Sequence, residues 1–334
     1  MKTVTIGAPW GLDGLTVHDR DIPEPGPGEV LVRVRASSLN HHDLLVVRNA
    51  IPTADQRLLL SDGAGEVVAV GAGVSQLAVG DRVMSTFFPG WADGPVAASK
   101  KRRIPGTHTD GFAAEYVVRA ETAFTRQPVG YSMAEAATLP CAGLTAWNAV
   151  TACTRLQPGD WVLTLGTGSV SLFALQFAKA CGARVIATSS SEDKLAALTR
   201  LGADHVVNYR AEPKWAHAAR ALTGGRGVDL VVEVGGAGSL RQSIAACRMG
   251  GTIAMVGQLD GGGDEAPMVD LVVNSTSIHG VSVGSHADQL AMVEAIEATG
   301  IRPLIDSHFP LERLADAFAH QETQRHVGKI SIDV

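Results

Sequence analysis

Apolar positions along this chain fall into two regimes. After Thr3-Val-Thr-Ile6, short runs at residues 29–35, 65–70, 81–84 and 114–118 alternate with polar positions and are separated by glycine and proline turns. Such a period of two marks half-buried strands, and the set predicts a β-rich, barrel-like module. The stretch Pro23-Glu-Pro-Gly-Pro-Gly28 lacks several N–H donors and favours turns, so it is expected as an extended connector. A helical pattern over residues 133–151 links this module to the second regime. There, strand-like runs at 160–165, 184–188, 205–208, 229–234, 252–256 and 278–283 alternate with helical stretches, among them one through 194–198. That alternation predicts an α/β fold with a doubly wound parallel sheet of the Rossmann kind. Beyond it come a helix through 290–296, a run at 304–309, a helix over 311–320 and a last strand at 328–333. The chain is therefore expected to leave the first domain (1–127 and 287–334), build the second (128–286) and return, with the active site in a cleft between the two.

The most informative local feature is an apolar strand that runs into Gly166-Thr167-Gly168 and out into an amphipathic helix. Gly166 permits the tight turn, Gly168 lets backbone approach phosphates, and the helix start at Ser169 and Val170 offers N–H donors with a favourable dipole. Gly166, Thr167, Gly168, Ser169 and Val170 are thus the expected pyrophosphate cradle of a dinucleotide. Ser171 replaces the third glycine of the usual pattern and is small enough to keep helix and strand close. Gly235 and Gly257, at the ends of later strands, are placed to let a nicotinamide lie against backbone.

Which nicotinamide coenzyme is expected follows from one missing acid. An NAD site carries Asp or Glu at the tip of the second strand, where it accepts bonds from the ribose hydroxyls. Here the tip is Ser189, followed by Ser190, Ser191 and Lys194, with Tyr209 after the next strand. Hydroxyls, a cation and a phenol suit a 2′-phosphate, so NADPH is expected over NADH. Alternatively, Lys194 is a solvated surface residue and the serines cap the helix opened by Glu192 and Asp193.

Composition narrows the classes. The 334 residues suit two domains, with 46% hydrophobic and 19% charged residues and 37 glycines. A net charge of −6, with no basic run longer than Lys100-Lys101-Arg102-Arg103, argues against a nucleic-acid surface. No stretch approaches the ~20 apolar residues that span a bilayer, and a strand-like start in place of a signal sequence points to the cytoplasm. Cys141, Cys153, Cys181 and Cys247 are scattered without a C-x-x-C pair, so they are expected as small core residues.

Taken with Pro25-Gly-Pro-Gly-Glu-Val-Leu-Val-Arg33, Ser38-Leu-Asn-His-His-Asp43, Ser61-Asp-Gly-Ala-Gly-Glu-Val-Val68, Val79-Gly-Asp-Arg-Val83 and Leu139-Pro-Cys-Ala-Gly-Leu-Thr-Ala-Trp147, the chain resembles the medium-chain dehydrogenase/reductase superfamily over essentially its whole length. Within it, the zinc-independent, quinone-oxidoreductase-like branch is the nearer likeness. The resemblance implies a GroES-like catalytic domain, a Rossmann domain and a homodimer joined through Rossmann edge strands. It places Asn40 beside nicotinamide and substrate, Asp43 beneath the site, and Thr145 at the nicotinamide-phosphate side. It also implies that Ser190, Lys194 and Tyr209 bind the adenosine phosphate, with Arg210 as a helper. His42 falls where zinc-dependent relatives carry a proton-passing hydroxyl, and an imidazole there could relay protons near neutral pH. Asp43 reads equally well as a helix N-cap, and His42 as a boundary residue.

Zinc-dependent members hold the metal with an early Cys, a His in a G-H-E motif and a later Cys. Here those positions are Asn40, Ser61 and Cys141, so one thiolate remains where three or four ligands are needed. His41 and His42 do not substitute, because adjacent side chains on an extended or turn backbone diverge. No zinc is expected. The leading expectation is an NADPH-dependent oxidoreductase moving a hydride between nicotinamide and a small quinone, enone or other activated carbonyl. Phe87, Phe88 and Trp91 would wall the pocket of a flat substrate, or fill core. The alternatives are a metal-independent NAD(P)-dependent alcohol dehydrogenase and a non-catalytic NADPH-binding sensor or structural protein.

Overall fold

The computed structural model describes residues 1–257, 259 and 267–334. It divides into two compact units, Met1–Leu144 with Val283–Val334, and Thr145–Ser282. The first unit opens with strands β1 (Lys2–Ile6), β2 (Leu15–Asp19) and β3 (Glu29–Ser38), then helix α1 (His41–Val47). Strands β4 (Arg57–Leu58), β5 (Gly63–Val70), β6 (Arg82–Ser85), β7 (Tyr116–Ala120) and β8 (Phe124–Arg126) lead to the short helix α2 (Met133–Ala136) and a π-helical turn at Leu139–Gly143. Helix α3 (Leu144–Thr151) opens the second unit. There, β9 (Trp161–Leu165), α4 (Ser169–Ala180), β10 (Arg184–Ser189), α5 (Glu192–Arg200) and β11 (His205–Asn208) form the first half. The second half is α6 (Trp215–Leu222), β12 (Val228–Glu233), α7 (Ala237–Ala246), β13 (Cys247–Met255), α8 (Met268–Asn274) and β14 (Ser277–Gly280). The chain closes with α9 (His286–Thr299), β15 (Ile305–Pro310), α10 (Leu314–Glu322) and β16 (Lys329–Asp333) in the first unit.

In the first unit β3 is the organising strand. It pairs antiparallel with β5, β7 and β16, so its Val30, Val32 and Val34 are buried in a core with Val67, Val83, Phe112 and Phe124. The chain's return matters because β16 pairs with Ser37 and Ser38 at the C-terminal end of β3. Lys329 thereby arrives beside Leu39 and Asn40, which sit just past β3.

In the second unit the sheet is parallel, with order β11-β10-β9-β12-β13-β14. Every residue of central β9 is buried, as expected of a strand covered on both faces. Strand order reverses beside β9, and ligands of such sheets bind outside the carboxyl ends of the strands. Leu165, Ser189 and Glu233 stand at those ends.

Three expectations are revised. Residues 128–144 belong to the first unit, because Ser38 Oγ donates to Ala137 O at 2.8 Å and the Cys141 N–H to Asp62 at 3.3 Å. The sixth strand ends at Gly280 rather than 283, and the chain re-enters the first unit at Val283 rather than 287. Among the cysteines, Cys247 is buried and the other three are half-buried.

Candidate active site

Gly166 adopts φ +75°, a left-handed conformation that costs an L side chain about 1–2 kcal/mol, so glycine is what lets β9 turn sharply into α4. Gly168 is the N-cap of α4, with no side-chain cap and open space where a Cβ would stand. Ser169 and Val170 form the first helical positions. Ser171 donates to Leu165 O at 2.6 Å, so the third-glycine position is filled by a hydroxyl that ties helix to strand. Thr167 is buried, and Thr188 on β10 accepts from the Gly166 N–H at 3.3 Å. An uncapped helix start behind two open glycines fits a pyrophosphate.

Ser189 is buried at the tip of β10, and its carbonyl accepts from the Tyr209 N–H at 3.0 Å. That bond places Tyr209, whose side chain is exposed, beside the Ser190–Ser191 segment. Ser191 is the N-cap of α5 without a side-chain cap bond, and Lys194 lies in the first turn of that helix. Glu192, also in that turn, accepts from Asn208 Nδ2. Arg210 follows Tyr209, its N–H donating to Asn208 Oδ1 at 3.1 Å. Asp193 lies beside Glu192 in the same first turn.

At the end of β12, sequence reasoning missed Glu233. Its fully buried carboxylate accepts from Gly235 N–H (2.7 Å), Gly236 N–H (3.1 Å), Ser239 Oγ (2.6 Å) and Ser243 Oγ, fixing the turn that carries Gly235. A Cβ on Gly235 would collide with Ser239 Oγ. The signal was present in Glu233 ending an apolar strand ahead of two glycines. Gly257 follows β13, its N–H directed at Glu233 O, and Thr145 is buried in the first turn of α3.

In the first unit Asn40, Asp43, Ser61, Asp62 and Lys329 form one buried polar cluster. Asn40, not Asp43, is the N-cap of α1; Asp43 is the third helical residue, and its Oδ2 accepts from the Asn40 N–H at 2.9 Å. Its Oδ1 accepts from the Ser61 N–H at 2.9 Å, so one carboxylate staples the start of α1 to the segment before β5. Asn40 Nδ2 donates to Ser61 Oγ at 3.1 Å and to Asp62 Oδ2 at 2.9 Å, while Asn40 Oδ1 accepts from Lys329 Nζ at 2.7 Å. Lys329 Nζ also donates to Leu39 O at 2.7 Å. Sequence reasoning missed both Lys329 and Asp62. Burial pushes Asp62 up to about 7 against the opposing pull of Lys329 and Asn40, and burial lowers Lys329 against the pull of Asp62.

His41 and His42 are the first two residues of α1, not an extended segment, and successive helical positions still point apart. His42 Nε2 is 2.8 Å from Thr107 Oγ1, and its ring meets Phe87 edge-on at 5.4 Å. Burial lowers its pKa, with Asp43 opposing, which favours the neutral imidazole near pH 7. Phe87 and Phe88 are buried and pack edge-on at 4.8 Å, whereas Trp91 is partly exposed, its Nε1 donating to Gly94 O at 2.9 Å.

Zinc does not fit this cluster. Asn40 and Ser61 supply neither thiolate nor imidazole, and an ammonium already sits 2.7 Å from Asn40 Oδ1, where it would repel a dication. Burial raises the Cys141 thiol well above its ordinary range, against the thiolate a metal needs. Among the described residues no group of three His, Cys, Asp or Glu could hold a metal ion, and no helix is long and apolar enough to cross a membrane.

Two family models match, an alcohol dehydrogenase GroES-like domain over residues 26–128 and a zinc-binding dehydrogenase over residues 169–298. A zinc-type alcohol dehydrogenase-like protein of Schizosaccharomyces pombe is 39% identical, covering 97% of this chain and 96% of its own. The crystal structure of an NAD-dependent alcohol dehydrogenase superposes with a TM-score of 0.91 at 37% identity, over 100% of both chains. A mycobacterial quinone oxidoreductase does so with a TM-score of 0.83 at 26% identity, again over 100% of both.

Proposed function

The chain belongs to the medium-chain dehydrogenase/reductase superfamily and is an NAD(P)-dependent oxidoreductase, and from that premise we propose that it reduces a quinone, enone or other activated carbonyl with NADPH and without a metal. The observation that carries this reading is the Asn40–Asp62–Lys329 cluster, which sets an internally hydrogen-bonded amide and a fixed ammonium where a Lewis acid would need ligands. Alcohol oxidation gains most from a metal that acidifies the hydroxyl, whereas reduction of an electrophilic carbon needs positioning and stabilisation of developing negative charge.

When bound, the nicotinamide supplies the hydride. The N-terminus of α4, at Ser169 and Val170 behind Gly166, Thr167 and Gly168, binds the pyrophosphate. Lys194 pairs with the 2′-phosphate, assisted by Ser190 and Tyr209, and Thr145, Gly235 and Gly257 line the nicotinamide half. Asn40 and His42 take the reacting end. Neutral His42, aligned by Thr107, moves the proton that completes reduction, and Asp43 acts through Asn40 because backbone N–H groups occupy both its oxygens.

Stopped-flow mixing of the protein–NADPH complex with a panel of quinones and enones tests this reading. Oxidation of the nicotinamide in the presence of a chelator is expected, and no oxidation with any of them would refute it. Relatives named alcohol dehydrogenase favour a second reading, metal-independent alcohol oxidation. Alcohol turnover with NADP⁺ that exceeds carbonyl reduction would select it.

A homodimer through β14 completes the proposal. This edge strand exposes Ile278, and the neighbouring α8 exposes Met268, Val269, Val272 and Val273, an apolar face suited to a second copy.

A further inference from the structure

Lys329 enters the first unit on β16, the last strand, and is 1% exposed; Asp62, just before β5, is 0% exposed. Burying a lysine and an aspartate together is costly unless the pair does something that an apolar pair could not. The hydrogen bonds around Asn40 supply that reason. Both Asn40 N–H groups are committed, from Nδ2 to Ser61 and Asp62, and Oδ1 accepts from Lys329 through one of its two lone pairs, leaving the other for a ligand. Lys329 is a pure donor, so it dictates which end of the amide is which. Were the amide flipped, its N–H groups would face an ammonium and its oxygen a carboxylate. Asp62 Oδ2 is held by the Asn40 side chain and the Cys141 N–H, while Asp62 Oδ1 has no hydrogen-bond partner among the described residues. Asp62 therefore does not contact Lys329 by a direct hydrogen bond; Asn40 is the bridge between the two charges.

We propose that Lys329 is a positioning residue of this site, whose ammonium locks the Asn40 amide in one orientation and stands as the fixed positive charge beneath the group that meets the substrate. This rests on the reading of Asn40 as part of the reacting end. The bond from Lys329 also polarises the amide, strengthening the Nδ2–H donors on the far side.

The rival is a purely structural role, in which Lys329 serves only to neutralise Asp62. Comparing Lys329→Met with Lys329→Met/Asp62→Asn separates the two. Two readouts are taken: kinetics on whichever carbonyl or alcohol the wild type turns over, and the Asn40 side-chain amide signals in a ¹H–¹⁵N spectrum, assigned by Asn40→Ser. The expected result is that Lys329→Met lowers kcat at least tenfold with KM within threefold and shifts or broadens the Asn40 amide pair. The double variant, free of unpaired buried charge, should regain thermal stability but not kcat. Should Lys329→Met fail to fold, Lys329→Gln, which keeps an N–H donor but removes the charge, is read in the same two assays and is expected to lower kcat and move the amide signals likewise. Recovery of wild-type kcat in the double variant, or Asn40 amide signals that stay in place without the ammonium, would overturn the proposal. Because the amide signals need no substrate, they stand apart from any failure of the carbonyl-reduction reading.

Discussion

Asp62→Asn should remove a pH dependence of stability that the wild type carries between about pH 4 and 7. The native Asp62 carboxyl ionises at about 7, against 3.8 for the ordinary group, and burial is the chief cause. A raised carboxyl pKa means that the folded state binds more protons than the unfolded one across that interval. Its stabilising contribution is therefore fully present below the unfolded pKa and is lost as pH rises through the folded one. At up to about 1.4 kcal/mol for each pH unit, and about half that at the two ends of the interval, wild-type stability should fall by about 3 kcal/mol between pH 4 and 7 relative to the variant. The comparison is differential, so it cancels groups that titrate alike in both proteins, and the variant keeps an oxygen to accept from Asn40 and Cys141. Equilibrium urea unfolding at half-unit pH steps measures it. A difference that stays flat refutes the reasoning, since desolvation would then not dominate. One that grows with pH refutes it more strongly, because the Lys329 charge would be holding Asp62 down rather than being outweighed.

Removing the Lys194 charge, as Lys194→Ala, should weaken NADPH binding about 10- to 100-fold, the loss of a charge-assisted bond, and leave NADH within about twofold; fluorescence titration with both coenzymes checks the split. Gly166→Val places a β-branched residue at φ +75° and should lower affinity for both coenzymes at least tenfold, read by the same titration. Asp229 is buried and accepts from Arg226 through both oxygens, from Arg248 Nε and from the Trp161 N–H, so Asp229→Ala should cost about 2 kcal/mol or more by thermal melting. Ile278→Lys on the exposed edge of β14 should shift the protein toward monomer in light scattering, with no change in the far-ultraviolet spectrum.

Local chemistry was sufficient for much of this molecule. A glycine turn between an apolar strand and a helix is specified by residues adjacent in sequence, so the β9–α4 turn could be read directly, as could the alternation that makes a parallel sheet. The nearness of Tyr209 to the tip of β10 was legible because the parallel connection brings consecutive strand ends together, and the bond from Tyr209 to Ser189 is that connection closing. Short helices left weaker traces: α1 begins on two histidines and an aspartate, whose helical start depends on Asp43 reaching back to Asn40 and across to Ser61.

What sequence alone could not supply is the partnership of Lys329 with Asn40, separated by 289 positions. A lysine in the tail Gly328-Lys-Ile-Ser-Ile-Asp333 reads as an exposed residue of an alternating strand, because lysine is ordinarily solvated. Only the pairing of β16 with the end of β3 buries it, and only then does its ammonium need the amide and carbonyl oxygens that it finds. The elements and the dinucleotide turn were determined by neighbours along the chain. Which charges share a buried site was decided by the return of the chain, since the energy of a charge depends on the surroundings that the fold brings to it.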